Sequence, residues 1–216
     1  MLAQASIPAA ATPRSRDLAA DVASAITAIE RNLTSTKYEH RARIDTQKGV
    51  YDWDCSIMAA WILRRAAPRA RAAIAADKPL ARDFYAAIAR AGTAQPRRGW
   101  LRLRGPSQIL PGDVFAWLKP EMFRDRKNTG HVGFAVSKPW PHPKFPSVWL
   151  MRIADATREL HGADSRPVGG EGGFGTATIA FIFDASDGPV AYGWYGEDQD
   201  PSTFVPTRIV FGRAFR

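Results

Sequence analysis

The spacing of apolar residues changes at Gly92, and this change limits what the chain can fold into. Before Gly92, apolar residues recur at helical intervals in four stretches, residues 18–32, 55–65, 69–76 and 79–91. After it they alternate as in strands, over residues 100–104, 114–118, 131–136, 148–155, 178–183, 190–195 and 207–211, the last expected at a sheet edge. Helices followed by strands predict an α+β fold, with N-terminal helices packed on a central antiparallel sheet.

The same pass along the chain gives the expected domain organisation. Residues 1–16 are rich in proline, alanine and serine and are expected to form a flexible arm. Residues 17–216 are expected to form a single domain, with a helical, arginine-rich insert at about 66–98. Residues 161–176 are rich in glycine and are expected to form a loop, either a solvent-exposed linker or one that borders a cleft; they lack the Lys-Ser/Thr of a phosphate-binding loop.

The charge of the chain indicates which partners to expect. The net charge is +9, from 30 basic and 21 acidic residues, so anionic partners are favoured: nucleic acid, anionic lipid or an acidic cell-envelope polymer. There is no zinc-finger spacing and no aromatic RNA-binding motif, which makes specific nucleic-acid binding the weakest of these. No apolar run reaches the length of a transmembrane segment.

Cys55 is the only cysteine in 216 residues. A single thiol excludes an intramolecular disulfide and a multi-cysteine metal site, and no cofactor is expected. Cys55 follows the turn-prone Asp54 at the start of a predicted helix, where backbone N–H groups and the helix dipole favour a thiolate. A free cysteine beside apolar residues is also common in an inert core, so the thiol alone does not establish a nucleophile.

A cysteine nucleophile needs a base, and the base needs a polar group that orients it. Of the four histidines, only His131 begins a predicted strand directly after a loop, and Asp155 ends the next strand. Gly133 and Ala135 share the face of His131 and are expected to leave room for the Cys55 helix. His161 lies in a polar cluster that offers substrate contacts or another third residue, although turn chemistry also explains the cluster.

Three motifs resemble those of the NlpC/P60 cysteine peptidases and occur in the same order, over about residues 35–160: Asp54-Cys55-Ser56, Leu110-Pro111-Gly112-Asp113-Val114-Phe115 and Gly130-His131-Val132-Gly133-Phe134. The resemblance implies a papain-like fold and hydrolysis of amide bonds in bacterial cell-wall peptides, next to D-glutamate and diaminopimelate. The chain departs from the family at Ile57, where glycine is usual, and lacks the family's Tyr-x-Trp-Gly-Gly motif.

The resemblance also assigns roles to residues. Cys55 is the nucleophile, His131 the general base and Asp155 the third polar residue. Tyr38, which starts the segment comparable to Tyr-x-Trp-Gly-Gly, lines the oxyanion position, while Asp54 and Ser56 contact substrate.

The sequence therefore predicts a cysteine peptidase or amidase acting on peptidoglycan peptides through a Cys-His-Asp triad. Its start lacks a basic signal-peptide region, which fits a periplasmic or secreted protein whose signal is absent, or alternatively a cytoplasmic protein. Two other functions stay open. One is an acyltransferase, or an amidase for another substrate, on the same fold. The other is a catalytically silent protein that binds an anionic cell-envelope polymer.

Overall fold

Helices cover one face of a large antiparallel sheet in the computed structural model, which describes residues 16–125, 127–184 and 188–216. The mixed α+β prediction is confirmed. The expected arm at 1–16 lies outside the described residues except for Arg16. The helices are α1 (Ala19–Asn32), α2 (Cys55–Ala66), α3 (Pro68–Ala72) and α4 (Ala81–Ala89). None of those in the described part of the chain is long and apolar enough to cross a membrane.

A small sheet connects α1 to α2. Its strands are β1 (Ser35–Tyr38), β2 (Arg43–Asp45) and β3 (Val50–Trp53), in the order β1-β3-β2. Strands β1 and β3 are parallel, with Tyr38 opposite Trp53, so the end of β1 lies beside the segment that enters α2. This pairing places Tyr38 close in space to Asp54 and Cys55.

The large sheet contains all the later strands, in the order β11-β10-β9-β8-β6-β5-β12-β4, with β7 paired to β8. Their bounds are β4 (Trp100–Leu103), β5 (Val114–Leu118), β6 (Gly130–Ala135), β7 (Trp140–Pro141), β8 (Val148–Thr157), β9 (Gly173–Asp184), β10 (Gly188–Gly193), β11 (Val205–Pro206) and β12 (Ile209–Ala214). Short 3₁₀ turns lie at Pro106–Gln108, Gly196–Asp198 and Pro201–Thr203.

Two sequence-based predictions about this sheet are wrong. The last strand, β12, is not at an edge, because it pairs antiparallel with both β5 and β4. The predicted glycine-rich loop ends early, because β9 already begins at Gly173 and pairs with β8 from there. The hairpin expected around Gly188 is confirmed by the β9–β10 pairing, although residues 185–187 of its turn lie outside the described residues.

The two faces of the large sheet bury different cores. One face packs against the helices through residues such as Val114, Ala116, Val132 and Phe134. The other face carries an aromatic-rich core that includes Phe115 and Trp117. Strands β10 and β12 contact each other although four strands separate them in the sheet order, so the sheet curls around this second core.

The region expected to be an arginine-rich insert contributes to the first core. In α4, Phe84 and Ile88 are fully buried and pack over β5, β6 and β12. Arg71, in α3, is also buried and donates hydrogen bonds to the main-chain oxygens of Ile74, Ala76 and Asp77. Arg71 therefore braces the connection to α4, and its charge is not presented to an anionic partner.

Candidate active site

Cys55 is the first residue of α2, as predicted, because the residue before it caps the helix. The carboxylate of Asp54 accepts a hydrogen bond from the backbone N–H of Ile57 at 2.8 Å. The other carboxylate oxygen of Asp54 lies 3.0 Å from Nδ1 of the exposed His40. The thiol itself is 6% exposed, and its Sγ lies 3.8 Å from the Ser56 hydroxyl. The cap fixes the thiol among the free N–H groups of the first helical turn.

His131 and Asp155 meet on neighbouring strands, as predicted. Strands β6 and β8 are paired, and Nε2 of His131 lies 2.6 Å from Oδ2 of Asp155. Asp155 is fully buried and His131 is 8% exposed. Because Nε2 bonds to the Asp155 carboxylate, Nδ1 is the remaining ring nitrogen that can exchange a proton with Cys55.

The pKa of His131 depends on both Cys55 and Asp155. Burial on its own lowers the pKa of His131, but the negative charge of Cys55 and hydrogen bonding to Asp155 and Cys55 raise it to about 10. Burial on its own raises the pKa of Asp155, but the positive charges of His161 and Arg166, with hydrogen bonds from both histidines, hold it well below its usual range. A protonated His131 is therefore paired with an ionised Asp155.

The prediction that the Cys55 helix packs on the face of β6 that carries His131 is wrong. Gly133, on the same face as His131, points toward the second core, where a methyl group on it would lie 2.5 Å from the Phe115 ring. The His131 ring packs in the same direction, against Trp117 with ring centroids 5.0 Å apart and against Trp194 at 5.7 Å. Gly133 therefore makes room for an aromatic core residue, and the Cys55 helix packs on the opposite face.

Asp155 has two further partners. His161 Nε2 lies 2.8 Å from the same Oδ2 atom that His131 contacts. Arg166 forms an ion pair with Oδ1 and donates another hydrogen bond to the Asp155 main-chain oxygen at 2.9 Å. The polar cluster that begins at His161 was predicted to offer substrate contacts, an alternative third residue or only a turn, and the ion pair between Arg166 and Asp155 was not predicted.

Asp164 and Gly175 bring these partners into place. The carboxylate of Asp164 accepts hydrogen bonds from the backbone N–H groups of His161 and Arg166 and pairs with the Arg166 guanidinium at 2.7 Å. Gly175 lies opposite Asp155 on β9, and a methyl group there would come within 2.6 Å of the Arg166 side chain. A glycine inside a strand is the usual sequence signal for such a close approach, but Gly175 lies in the predicted glycine-rich loop, so this signal was missed.

Tyr38 lies within the electrostatic range of the thiol, as expected of a residue lining the site. Burial, followed by the negative charges of Cys55 and Asp54, raises the pKa of the Tyr38 hydroxyl, so this hydroxyl keeps its proton and can donate. Its backbone N–H donates to Glu171 O at 3.0 Å, which places the glycine-rich loop beside the site. The guanidinium carbon of Arg158 lies 5.7 Å from the Tyr38 ring centroid.

A metal ion is an alternative occupant of one part of this site. The side chains of His131, Asp155 and His161 offer ligand atoms within 4.8 Å of one another. These atoms already bond to one another, since both Nε2 atoms contact Asp155 Oδ2, and the Arg166 guanidinium occupies the other carboxylate oxygen. A cation placed here would have to break both bonds next to a fixed positive charge. The donor set fits a proton-bearing network better than a metal site.

The chain matches no protein-family model, no curated protein and no solved structure. What it does chemically therefore has to be argued from the site itself.

Proposed function

We propose that this protein is a cysteine hydrolase of the NlpC/P60 type that cleaves amide bonds in cell-wall peptides, with Cys55 as nucleophile. One observation carries the proposal: the only cysteine lies at a capped helix start and interacts with a histidine whose far nitrogen bonds to a buried carboxylate. A nucleophile, a base and a group that orients the base are the components that covalent amide hydrolysis needs.

The reaction proceeds through a thioester. The Cys55 thiolate attacks the amide carbonyl carbon, and the developing oxyanion accepts hydrogen bonds from the Cys55 backbone N–H and the Tyr38 hydroxyl. Protonated His131 gives its Nδ1 proton to the leaving nitrogen as the C–N bond breaks. A water molecule then attacks the thioester, His131 takes one of its protons, and the C–S bond breaks to release the acid and restore the thiolate.

The substrate class rests on the motif resemblance and on charge. The order of the Asp-Cys-Ser, Pro-Gly-Asp and His-Val-Gly segments is that of the peptidoglycan peptidases, and a net charge of +9 suits an anionic envelope. Asp54 and Ser56 flank the thiol and are the proposed substrate contacts, although Asp54 also caps α2 and pairs with His40. An enzyme with this substrate acts outside the cytoplasm, in the periplasm or after secretion.

The test is digestion of purified peptidoglycan and its soluble peptides by the wild type and by Cys55→Ala, with products identified by mass spectrometry. We expect new amino and carboxyl ends from the wild type and none from the variant. Peptidoglycan fragments that gain an added amine would indicate an acyltransferase instead. Binding to sacculi by both proteins without any product would overturn the hydrolase and favour a silent binder of the polymer.

A further inference from the structure

Both ring nitrogens of His161 face hydrogen-bond acceptors. Nδ1 lies 3.1 Å from the main-chain oxygen of Trp194, and Nε2 lies 2.8 Å from Asp155 Oδ2. A carbonyl oxygen only accepts, so Nδ1 carries a proton. Asp155 already accepts hydrogen bonds from His131 and Arg166, and both favour the ionised carboxylate. An ionised carboxylate has no proton to donate to His161. Nε2 must therefore donate as well, and a ring that donates from both nitrogens is an imidazolium.

The surroundings of His161 suit a buried positive charge. Its side chain is fully buried, with the ring centroid 3.9 Å from that of the Trp194 indole and the planes inclined by 33°. An indole face attracts a cation, most strongly where water is excluded. The other charged groups facing this ring are Asp155, on its Nε2, Asp164, which accepts from its backbone N–H, and the His131 imidazole, whose ring centroid lies 6.3 Å away.

With His161 charged, the charges behind the Cys55–His131 pair are balanced. Asp155 and Asp164 carry two negative charges, and Arg166 and His161 supply two positive ones. This cluster is buried, so an uncompensated charge in it would act strongly on the neighbouring Cys55 and His131. On the other side, the thiol faces Tyr38, whose hydroxyl is neutral, and Asp54, which is paired with His40.

We propose that His161 is a positioning residue, a permanently charged imidazolium that acts through Asp155 on the Cys55–His131 pair. It holds Oδ2 of Asp155 toward His131 and cancels one negative charge in the buried cluster beside Cys55. The inference rests on the proposed role of Cys55 as nucleophile and adds the part of the network that sets its working pH.

The test is the pH dependence of Cys55 alkylation by iodoacetamide in the full-length protein. Because Cys55 is the only cysteine, the rate reports on this thiol alone and needs no substrate. His161→Gln keeps one N–H donor for Asp155 and removes the charge. His142→Gln is the matched control, since His142 is another buried histidine whose ring bonds to a main-chain oxygen, that of Glu197.

Removing a positive charge makes the thiolate harder to form. His161→Gln should move the midpoint of the alkylation profile to higher pH by about one unit or more, because its ring lies only 6.3 Å from that of His131. His142→Gln should leave the midpoint in place. A folded His161→Gln variant whose profile coincides with the wild type would overturn the proposal and leave His161 a purely structural hydrogen-bond partner.

A second measurement, on the wild type, tests the proposal even if His161→Gln does not fold. Nitrogen-15 NMR of the wild type, with the histidine rings labelled, should show both His161 nitrogens protonated at pH 7. A neutral tautomer at pH 7 would refute the inference. Neither measurement uses a peptide substrate. A failure to cleave peptidoglycan would therefore contradict the proposed function without testing the charge on His161.

Discussion

Replacing Asp155 by asparagine tests the centre of the site with a change of only one atom. The side chain accepts from His131 at 2.6 Å, from His161 at 2.8 Å and from Arg166, and none of it is exposed to water. Asparagine offers a single acceptor oxygen. If its oxygen stays with Arg166, its NH₂ group points at two ring nitrogens that both need to donate; if it flips, the NH₂ group meets the guanidinium.

The cost follows from the charges left behind. Removing one partner from a buried, charged network destabilises a protein by about 3–5 kcal/mol, because the remaining charges stay buried without compensation. A typical domain unfolds with a free energy of 5–15 kcal/mol, so the variant should remain folded but be clearly weakened. His131 also loses the carboxylate that orients it, and we expect hydrolysis to fall by on the order of 10²-fold or more.

Urea denaturation at pH 7, followed by tryptophan fluorescence, measures the first effect, and peptide cleavage measures the second. Asp198→Asn is the control, because Asp198 is exposed and its substitution should change the free energy of unfolding by less than about 0.5 kcal/mol. If Asp155→Asn lowers the free energy of unfolding by less than about 1 kcal/mol, Asp155 does not compensate positive charges on His131, His161 and Arg166, and the prediction is wrong.

Three further substitutions test other parts of the site. The pKa of His131 is raised from 6.5 to about 10, so its contribution to stability is present below pH 6.5 and is lost as pH rises toward 10. In urea denaturation, the wild type should therefore be more stable than His131→Gln at pH 7, and this difference should shrink by pH 10. A difference that stays constant would contradict the prediction. Gly133→Ala should cost about 1–3 kcal/mol by overpacking, since its methyl group meets the Phe115 ring at 2.5 Å; an unchanged thermal midpoint would show that the ring can move. Asp54→Ala should cost about 1 kcal/mol through loss of the Ile57 cap, whereas Asp54→Asn should retain most of it.

Local signals predicted the start of α2 and the strands that carry His131 and Asp155. Asp54 is a good helix cap followed by apolar residues at helical spacing, so the position of Cys55 at the helix start followed from neighbours in sequence. The alternation after Gly130 likewise predicted β6 within one residue at each end. These elements depend on residues close together in the chain, which is why the sequence alone was sufficient.

Contacts between distant segments were not predictable in the same way. Alternation showed that His131 and Gly133 share a face, but not that this face meets the aromatic core, because that depends on Phe115 of β5. Arg166 lies in a polar turn that resembles an exposed loop. Its burial depends on Asp155 of β8 and on the space left by Gly175 of β9, and neither is evident from the sequence around Arg166.

The interior position of β12 has a consequence for how the site is assembled. Residues 209–214 fill the gap between β5 and β4, so until they pair, β5 presents an open edge on the side away from β6. Pairing over such long sequence separations is slow to form. Because Cys55 precedes residues 209–214 in the chain, we expect its thiol to stay unreactive until those residues pair and complete the sheet that holds His131.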